Sequence, residues 1–486
     1  MLIKLILALL FLKLSSAQQY CSYKQDELYL NCSNFDSLSQ LNFNSFNQTN
    51  KIKKFSLRPS RPVIFEDEYL NLAPLSNSFQ DDYTVLLENF DKLDIKSNPF
   101  SYNQIQKQPY ELIFNEITVS FEVNGLPLSS NCDLDLFERT ALTMFDSFQV
   151  VRFGKNIKYE AELCPVLFRQ NKLKQLALNE LGAGNEFRFI DFKSPQRNRT
   201  LDPGVEELEL LNADLDFLDF DVLSPVVFKK LKQLRYSSAN DESSGRLFIV
   251  DDLFKSFREL KHFELELHDM SLFVNKSNPN WMYNLNPAVA INLNISAQLN
   301  DPANKNKQFK LVLRDMSEAY EFPDEDFCFF ERFPHSKLVF PIVHTKPGLK
   351  CSCTLLWILK YWSYYVDMSE ISTDSVKRCI GDDFESQIGA CDFSELKLPC
   401  KKEITTAEPE PIPITTPVST TTIGKVEATT AKTSQVDTMT LVFIGIGGFG
   451  ILSAGILFVC YMVRKRVNRK AYETERILRM ANMSKI

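Results

Sequence analysis

The chain has 486 residues, of which 44% are hydrophobic and 24% are charged, and its formal net charge is −7 at pH 7. The segment 464–486 holds eight Lys and Arg residues against Glu473 and Glu475, so the rest of the chain carries −13. This acidic main body lacks the basic footprint of a nucleic-acid-binding protein. We therefore expect no nucleic acid among the partners.

The amino terminus predicts secretion. Residues 1–17 combine one early lysine, an apolar run at 5–12 and small residues at 15–17. This order is typical of a signal peptide with a small-residue cleavage site. The mature chain is predicted to begin near Gln18.

Cysteine number and spacing predict an oxidising compartment. Ten of the eleven cysteines lie between the predicted cleavage site and an apolar segment near the carboxy terminus. An even number there is typical of a fully paired extracellular domain. Proximity along the chain predicts Cys21 with Cys32, as an amino-terminal clasp, and Cys132 with Cys164. Four sequons predict N-glycosylation of an exposed surface, at Asn47, Asn198, Asn275 and Asn294.

A repeated leucine pattern occupies the middle of the chain. Four segments fit LxxLxL, namely 173–178, 205–210, 231–236 and 260–265. The steps from Leu208 to Leu234 and from Leu234 to Phe263 are 26 and 29 residues. This period is that of a leucine-rich repeat, in which one short strand and a return segment form a coil. The longer preceding step predicts an insertion at 194–200.

Other segments extend the pattern in both directions. Strands are expected at 288–295, 309–313 and 337–343, and earlier coils at 52–57, 86–95 and 117–123. The return phrase Phe-x-x-Leu-x-x-(Leu/Phe) also occurs twice, beginning at Phe228 and Phe257. A generic α/β domain with short parallel strands is the alternative, but it does not account for the sustained spacing.

A cysteine-rich segment follows the repeats. Cys351-x-Cys353, with Leu356-Trp357 and then Cys379 and Cys400, is preceded by Lys-Pro-Gly-Leu at 346–349. This segment resembles the carboxy-terminal cap of extracellular leucine-rich repeat (LRR) proteins, the LRRCT module. The resemblance implies an α/β solenoid of short parallel strands with an irregular convex side and disulfide caps.

The resemblance also divides the ectodomain and implies its pairing. It gives a degenerate repeat region at 18–345 and a cap at 346–400. In the family the first cap cysteine pairs with the third and the second with the fourth. That implies Cys351 with Cys379 and Cys353 with Cys400, which leaves Cys391 to pair with Cys328.

The repeats depart from the family pattern at one position. The asparagine expected at the ninth position is replaced in the four best units by Leu181, Ala213, Ala239 and His268.

A stalk and a membrane span are predicted after the cap. Residues 401–438 are rich in Thr and Pro and cannot bury a core, which indicates an extended, O-glycosylated stalk. Residues 439–463 contain no charge and suffice to span a bilayer; a buried core helix is the alternative. The basic residues that follow place the tail 464–486 in the cytoplasm. The sequence thus predicts a type I single-pass protein of the plasma membrane.

The binding surface is predicted on the strands. In LxxLxL the leucines point into the core, whereas the x positions project onto one concave face. We expect this face to bind an extracellular protein ligand, and Arg235→Glu to abolish binding without loss of secretion. Alternatively, Glu209, Arg235 and Glu264, which occupy equivalent positions, neutralise one another. The predicted face comprises Lys174, Gln175, Glu206, Glu207, Glu209, Lys232, Gln233, Arg235, Lys261, His262, Glu264 and Glu266.

No enzyme motif is recognised. The four histidines fall in no HExxH, zinc-spaced cluster or GxSxG motif, so neither catalysis nor a metal or cofactor is expected. The last residues, Ser484-Lys485-Ile486, match the carboxy-terminal ligand of PDZ domains, although three residues also match by chance. The predicted function is cell-surface recognition or adhesion. The alternatives are a ligand-binding co-receptor and a glycosylated coat protein without a specific partner.

Overall fold

A computed structural model describes the chain from residue 20 to residue 401, with gaps. The longest gaps are 128–146, 190–203, 286–308 and 363–378. All described residues belong to one compact unit, Met1–Thr406. The predicted signal peptide, stalk, membrane span and tail lie outside the described residues.

One long sheet runs through the described part of the chain. Its first two strands form an antiparallel hairpin, and every later pairing in this sheet is parallel. Its strands are β1 Cys21–Lys24, β2 Tyr29–Phe35, β3 Ile52–Pro59, β5 Phe79–Glu88, β7 Pro109–Asn115, β11 Val150–Phe153, β14 Gln175–Asn179, β16 Glu207–Ala213, β18 Gln233–Ser238, β20 His262–Leu267, β21 Phe309–Asp315, β22 Leu338–Val339 and β23 Ile342–Val343. Sequence order and sheet order agree, with β22 and β23 both beside β21. The chain is therefore a solenoid of parallel strands.

The return side of each coil is irregular. Short strands pair there into small separate sheets: β4 Val63–Glu66, β6 Phe90–Asp94, β8 Thr118–Val119, β9 Phe121–Val123, β10 Leu126–Pro127, β12 Lys158–Tyr159, β13 Glu162–Leu163, β15 Arg188–Phe189, β17 Phe217–Leu218 and β19 Phe248–Ile249. The α-helices are α1 Asp241–Arg246, α2 Met270–Lys276, α3 Phe327–Glu331, α4 Cys353–Trp362, α5 Phe384–Gly389 and α6 Phe393–Leu396. Single 3-10 turns are Leu38–Gln40, Asp67–Tyr69, Ala73–Leu75, Leu253–Ser256, Pro279–Asn284, Asp324–Asp326 and Pro399–Lys401.

The leucine pattern fixes the register of the main sheet. Leu208, Leu234 and Phe263 pair across adjacent strands, and each is at most 1% exposed. A second inward column joins Leu210, Tyr236 and Leu265 and is also fully buried. Alternation along a strand sends every second side chain inward. The predicted repeat core is therefore confirmed for these coils.

Aromatic residues fill the interior between strands and return segments. Phe254, Phe263 and Trp281 form one cluster with ring centroids 5.3–5.8 Å apart. Such spacings are those of favourable aromatic pairs. The cluster packs strand β20 against the 3-10 segment before it, Leu253–Ser256, and the one after it, Pro279–Asn284.

Several strand boundaries differ from the prediction. The strands at 52–57 and 309–313 are confirmed by β3 and β21. The coil predicted at 117–123 has its main strand earlier, at β7, while 117–123 supplies two short return strands. Likewise β5 begins at Phe79 rather than at Leu86. The segments 194–200 and 288–295 lie outside the described residues.

Asn89, Asn212 and Asp315 lie at the ends of three strands, one residue before the position at which leucine-rich repeat proteins carry an asparagine. Asn89 donates from Nδ2 to the carbonyl of Pro59 at 3.0 Å. Asn212, two residues after an inward leucine as Asn89 is, donates to the side-chain oxygen of Asn179 at 2.7 Å. Asp315 fills the same position in β21. Because turns expose unpaired backbone groups, side chains there satisfy them.

The disulfides confirm two predicted pairs. Cys21 is bonded to Cys32, directly across the β1–β2 hairpin. Cys351 is bonded to Cys379. Cys164 is also disulfide-bonded, and its predicted partner, Cys132, lies outside the described residues.

The other two cap pairs were predicted wrongly. Cys353 is bonded to Cys391, not to Cys400, and Cys328 is bonded to Cys400, not to Cys391. The last segment of the cap returns to α3, where the Phe327 and Phe393 rings lie 6.2 Å apart. This return brings Cys400 close to Cys328. A disulfide therefore joins the repeat region to the cap, as predicted, but the cap cysteine is Cys400 instead of Cys391.

Peptide mapping tests this pairing. Digestion of the unreduced chain is expected to release peptides that join Cys328 to Cys400 and Cys353 to Cys391. Mass spectrometry before and after reduction identifies both. A peptide joining Cys353 to Cys400 would contradict the described cap.

Candidate functional site

The candidate site is the face of the main sheet that points away from the core, here termed the open face. It corresponds to the concave face predicted from the sequence. Glu209, Arg235 and Glu264 pair across β16, β18 and β20, as predicted. The row before them joins Glu207, Gln233 and His262.

The structure brings the twelve predicted residues together on four neighbouring coils. Gln175 extends the Glu207 row, because it pairs with Glu207, and Glu266 lies in the next row, two residues beyond Glu264 on β20. Lys174, Glu206, Lys232 and Lys261 lie at the turns that start the strands. Their backbone groups form a hydrogen-bond ladder from coil to coil.

One ion-paired group extends over four adjacent strands, from β7 to β16. Arg152 of β11 donates to Glu111 Oε1 at 2.8 Å and to Glu209 Oε2 at 2.9 Å. Ala177 of β14 lies in register between Arg152 and Glu209. Because alanine has no side chain beyond Cβ, the two longer side chains meet above it. Gln175 also donates to Glu209, at 3.1 Å.

A second group surrounds a buried carboxylate. Arg235 forms a bidentate contact with Glu266, with Nη2 2.9 Å from Oε2 and 3.0 Å from Oε1. Arg314 lies 3.5 Å from Glu266 and 3.0 Å from Glu264. The Glu266 side chain is only 7% exposed. A carboxylate at this depth requires paired cations, since an isolated buried charge is costly.

Burial and neighbouring carboxylates shift the pKa values of Arg152 and Arg235 in opposite directions. Burial alone would lower the pKa of Arg152, but Glu111 and Glu209 outweigh it and raise that pKa. Burial opposes the charge of Arg235 in the same way, and Glu266 with Glu264 raises its pKa overall. Both guanidinium groups are therefore held charged.

A third group lies where the strands begin. Glu206 accepts from Lys232 at 2.7 Å and from Lys174 at 3.1 Å, so one carboxylate joins three adjacent coils. Hydrogen bonds from Lys232 and then Lys174 lower the pKa of Glu206, and Glu206 raises the pKa of Lys232. All three side chains remain at least 29% exposed.

Replacing Glu206 by Gln is expected to cost little stability. Exposed ion pairs contribute about 0–1 kcal/mol, so the free energy of unfolding should fall by at most about 1 kcal/mol at pH 7. Because the folded-state pKa is lowered, this contribution is present above the unfolded-state pKa and is lost as pH falls through the folded-state value. Urea unfolding of both chains at several pH values measures the difference. A difference that grows on acidification would contradict the assignment.

The alternative that these charges neutralise one another is correct in part. Arg235 lies 3.9 Å from Glu264, as that alternative expects, but its shorter contact is with Glu266, and Glu209 pairs with Arg152 instead of Arg235. Arg152 and Arg314 were missed. Arg152 lies in a strand of four residues that gives little sequence signal, and Arg314 directly follows the predicted strand 309–313.

The open face is thus a preformed, ion-paired polar surface with exposed residues along one margin. Gln233, Lys174 and Lys261 are exposed there. Such a surface is suited to hydrogen bonds and charge complementarity with a partner. Among the described residues, no group of three His, Cys, Asp or Glu side chains is placed to hold a metal ion.

Other predicted sites are described only in part. Asn47 and Asn275 are exposed, as a glycosylation site must be. Asn198, Asn294 and the carboxy-terminal 484–486 lie outside the described residues. No helix in the described ranges is both long and apolar enough to cross a membrane, and the predicted span 439–463 is not within them.

Comparison with known proteins identifies no relative. No protein-family model, curated protein or solved structure matches the chain significantly.

Proposed function

We propose that the chain is an extracellular leucine-rich repeat protein, held at the plasma membrane by the span 439–463, that recognises a protein ligand through its open face. The repeat phrases and the cysteine cap support the family assignment. Disulfides, found mostly in secreted and cell-surface proteins, support the location. Neither catalysis nor a cofactor is part of the proposal.

The observation that carries the proposal is the convergence of polar side chains from several coils onto one sheet face. Three ion-paired groups hold these side chains in fixed positions. Preorganised side chains lose less conformational entropy on binding than mobile ones. Because the parallel coils present their residues side by side, the surface suits a folded partner rather than a small molecule.

A cell-clustering assay tests the function. Non-adherent cells that express the full-length chain are mixed with differently labelled cells that lack it. We expect mixed clusters, or clusters of expressing cells alone, together with staining of the intact cell surface. Normal surface staining without binding to any cell type would contradict the recognition and adhesion function.

A further inference from the structure

The margin of the solenoid where the strands begin is strongly basic. In the four residues that precede each of β14, β16, β18 and β20, the described positions hold seven basic side chains against Glu206 and Glu259, and an eighth, Lys255, lies three residues earlier in the last segment and pairs with Asp252. We term these eight the basic flank: Lys172, Lys174, Lys229, Lys230, Lys232, Lys255, Arg258 and Lys261. Five of the eight belong to segments outside the predicted concave face.

Backbone register aligns the residues of the basic flank from coil to coil. Lys261 N–H donates to Lys232 at 2.8 Å, Lys232 N–H to Glu206 at 2.7 Å, and Glu206 N–H to Lys174 at 2.8 Å. Adjacent strands are about 4.8 Å apart. The repeated return phrase also places Lys229 and Arg258 at equivalent positions of neighbouring coils, each directly after a buried phenylalanine. The cations therefore form a row along the solenoid axis that is interrupted at the β16 coil by Glu206, which pairs with Lys174 and Lys232.

The opposite margin, where the strands end, has the opposite charge. In the four residues that follow each of these strands, the described positions hold six acidic residues and no Lys or Arg, and Arg246, further along α1, pairs with three of the six. The six are Glu180, Asp214, Asp216, Asp241, Glu242 and Asp269. Charge is thus segregated across the width of each coil instead of being mixed. A row of like charges on an otherwise acidic chain raises the local concentration of anionic partners.

We propose that the basic flank binds a linear sulfated polysaccharide. A row of cations at the strand spacing matches an extended polyanion better than a compact anion. Seven of the eight residues are lysines, which act as mobile point charges rather than as the bidentate forks that recognise single carboxylates. The disulfides indicate an oxidising compartment, where linear polyanions are sulfated sugars rather than nucleic acids.

This site goes beyond the open-face proposal and is tested separately. The double variant Lys229→Glu/Arg258→Glu alters the flank but no residue of the open face. Its matched control is Lys155→Glu/Lys158→Glu, which changes net charge equally at two exposed positions elsewhere. Lys229→Gln/Arg258→Gln, which removes the two charges without reversing them, is used if the melting temperature of Lys229→Glu/Arg258→Glu is lowered.

The probe is a size-defined heparin oligosaccharide, with its desulfated form as the ligand control. Binding to the purified full-length chain is measured by fluorescence anisotropy at several salt concentrations near 0.15 M. We expect the flank variant to raise the dissociation constant roughly tenfold or more and to flatten its salt dependence. The charge-matched control should bind as the wild type does.

Three outcomes would overturn the proposal. They are absence of binding by the wild type at 0.15 M salt, equal binding of the desulfated sugar, and equal weakening in both double variants. A fourth is that the wild type binds no sugar but self-associates, and that Lys229→Glu/Arg258→Glu abolishes this self-association. The partner of the basic flank would then be the acidic margin of a second copy of the chain. Loss of cell clustering in Gln233→Trp with unchanged sugar binding would keep the two sites distinct.

Discussion

The variant Arg235→Glu is expected to lose about 2–4 kcal/mol of folding stability, because it removes one of the two cations paired with the buried Glu266 carboxylate; the Arg235 side chain is itself 43% exposed, so the cost lies below that of a fully buried pair. Glu266 would keep only the more distant Arg314, at 3.5 Å, and a third carboxylate would face it and Glu264. Thermal melting of the full-length chain measures the loss. The sequence-based expectation that this change alters binding without affecting secretion is therefore revised.

Two controls separate pairing from surface charge. Arg235→Lys keeps the positive charge but loses the bidentate geometry, so an intermediate melting temperature is expected. Lys155→Glu makes a charge reversal at an exposed residue and should melt like the wild type. If Arg235→Glu also melted like the wild type, Glu266 would not be the buried partner described above.

Removal of the Asp315 carboxylate should be comparably damaging. Its Oδ2 accepts from the backbone N–H groups of Ala319, at 2.7 Å, and Tyr320, at 3.0 Å, while Oδ1 accepts from Met270 at 3.3 Å. The donors at Tyr320 and Met270 are buried, and each buried donor left unsatisfied costs about 1–3 kcal/mol. We expect Asp315→Ala to lower the free energy of unfolding by about 3–5 kcal/mol, measured by urea unfolding.

Asp315→Asn is the matched control, because its amide oxygen can replace Oδ2 at both neighbouring N–H groups. Only the longer contact to Met270 would be lost, so less than half of the alanine effect is expected. Equal losses in the two variants would show that charge, rather than hydrogen bonding to the turn, stabilises this position.

The inward residues of the repeat were predictable from sequence because burial repeats with strand alternation. Leu208, Leu234 and Phe263 carry that signal at steps of 26 and 29 residues. Strand β11 was not predictable in this way, since only four residues alternate there. Cap pairing depended on how α4, α5 and α6 pack, and spacing along the chain does not contain that information.

In the candidate site, too, some features were predictable from the sequence and others were not. Equivalent positions on successive strands followed directly from the repeat, so Glu209, Arg235 and Glu264 were aligned correctly. Which charges pair is decided by side-chain reach between coils. Arg152 reaches Glu209 across an entire strand because Ala177 is small, and no pattern within a single repeat predicts that contact.

The most direct test of recognition through the open face is a steric block at Gln233, an exposed residue of β18. Gln233→Trp and the off-face control Lys155→Trp are compared in the cell-clustering assay, with melting temperature and surface staining measured in parallel. The open-face proposal predicts that Gln233→Trp abolishes clustering while its melting temperature and staining match those of the control. Undiminished clustering by Gln233→Trp, with both variants folded, would contradict it.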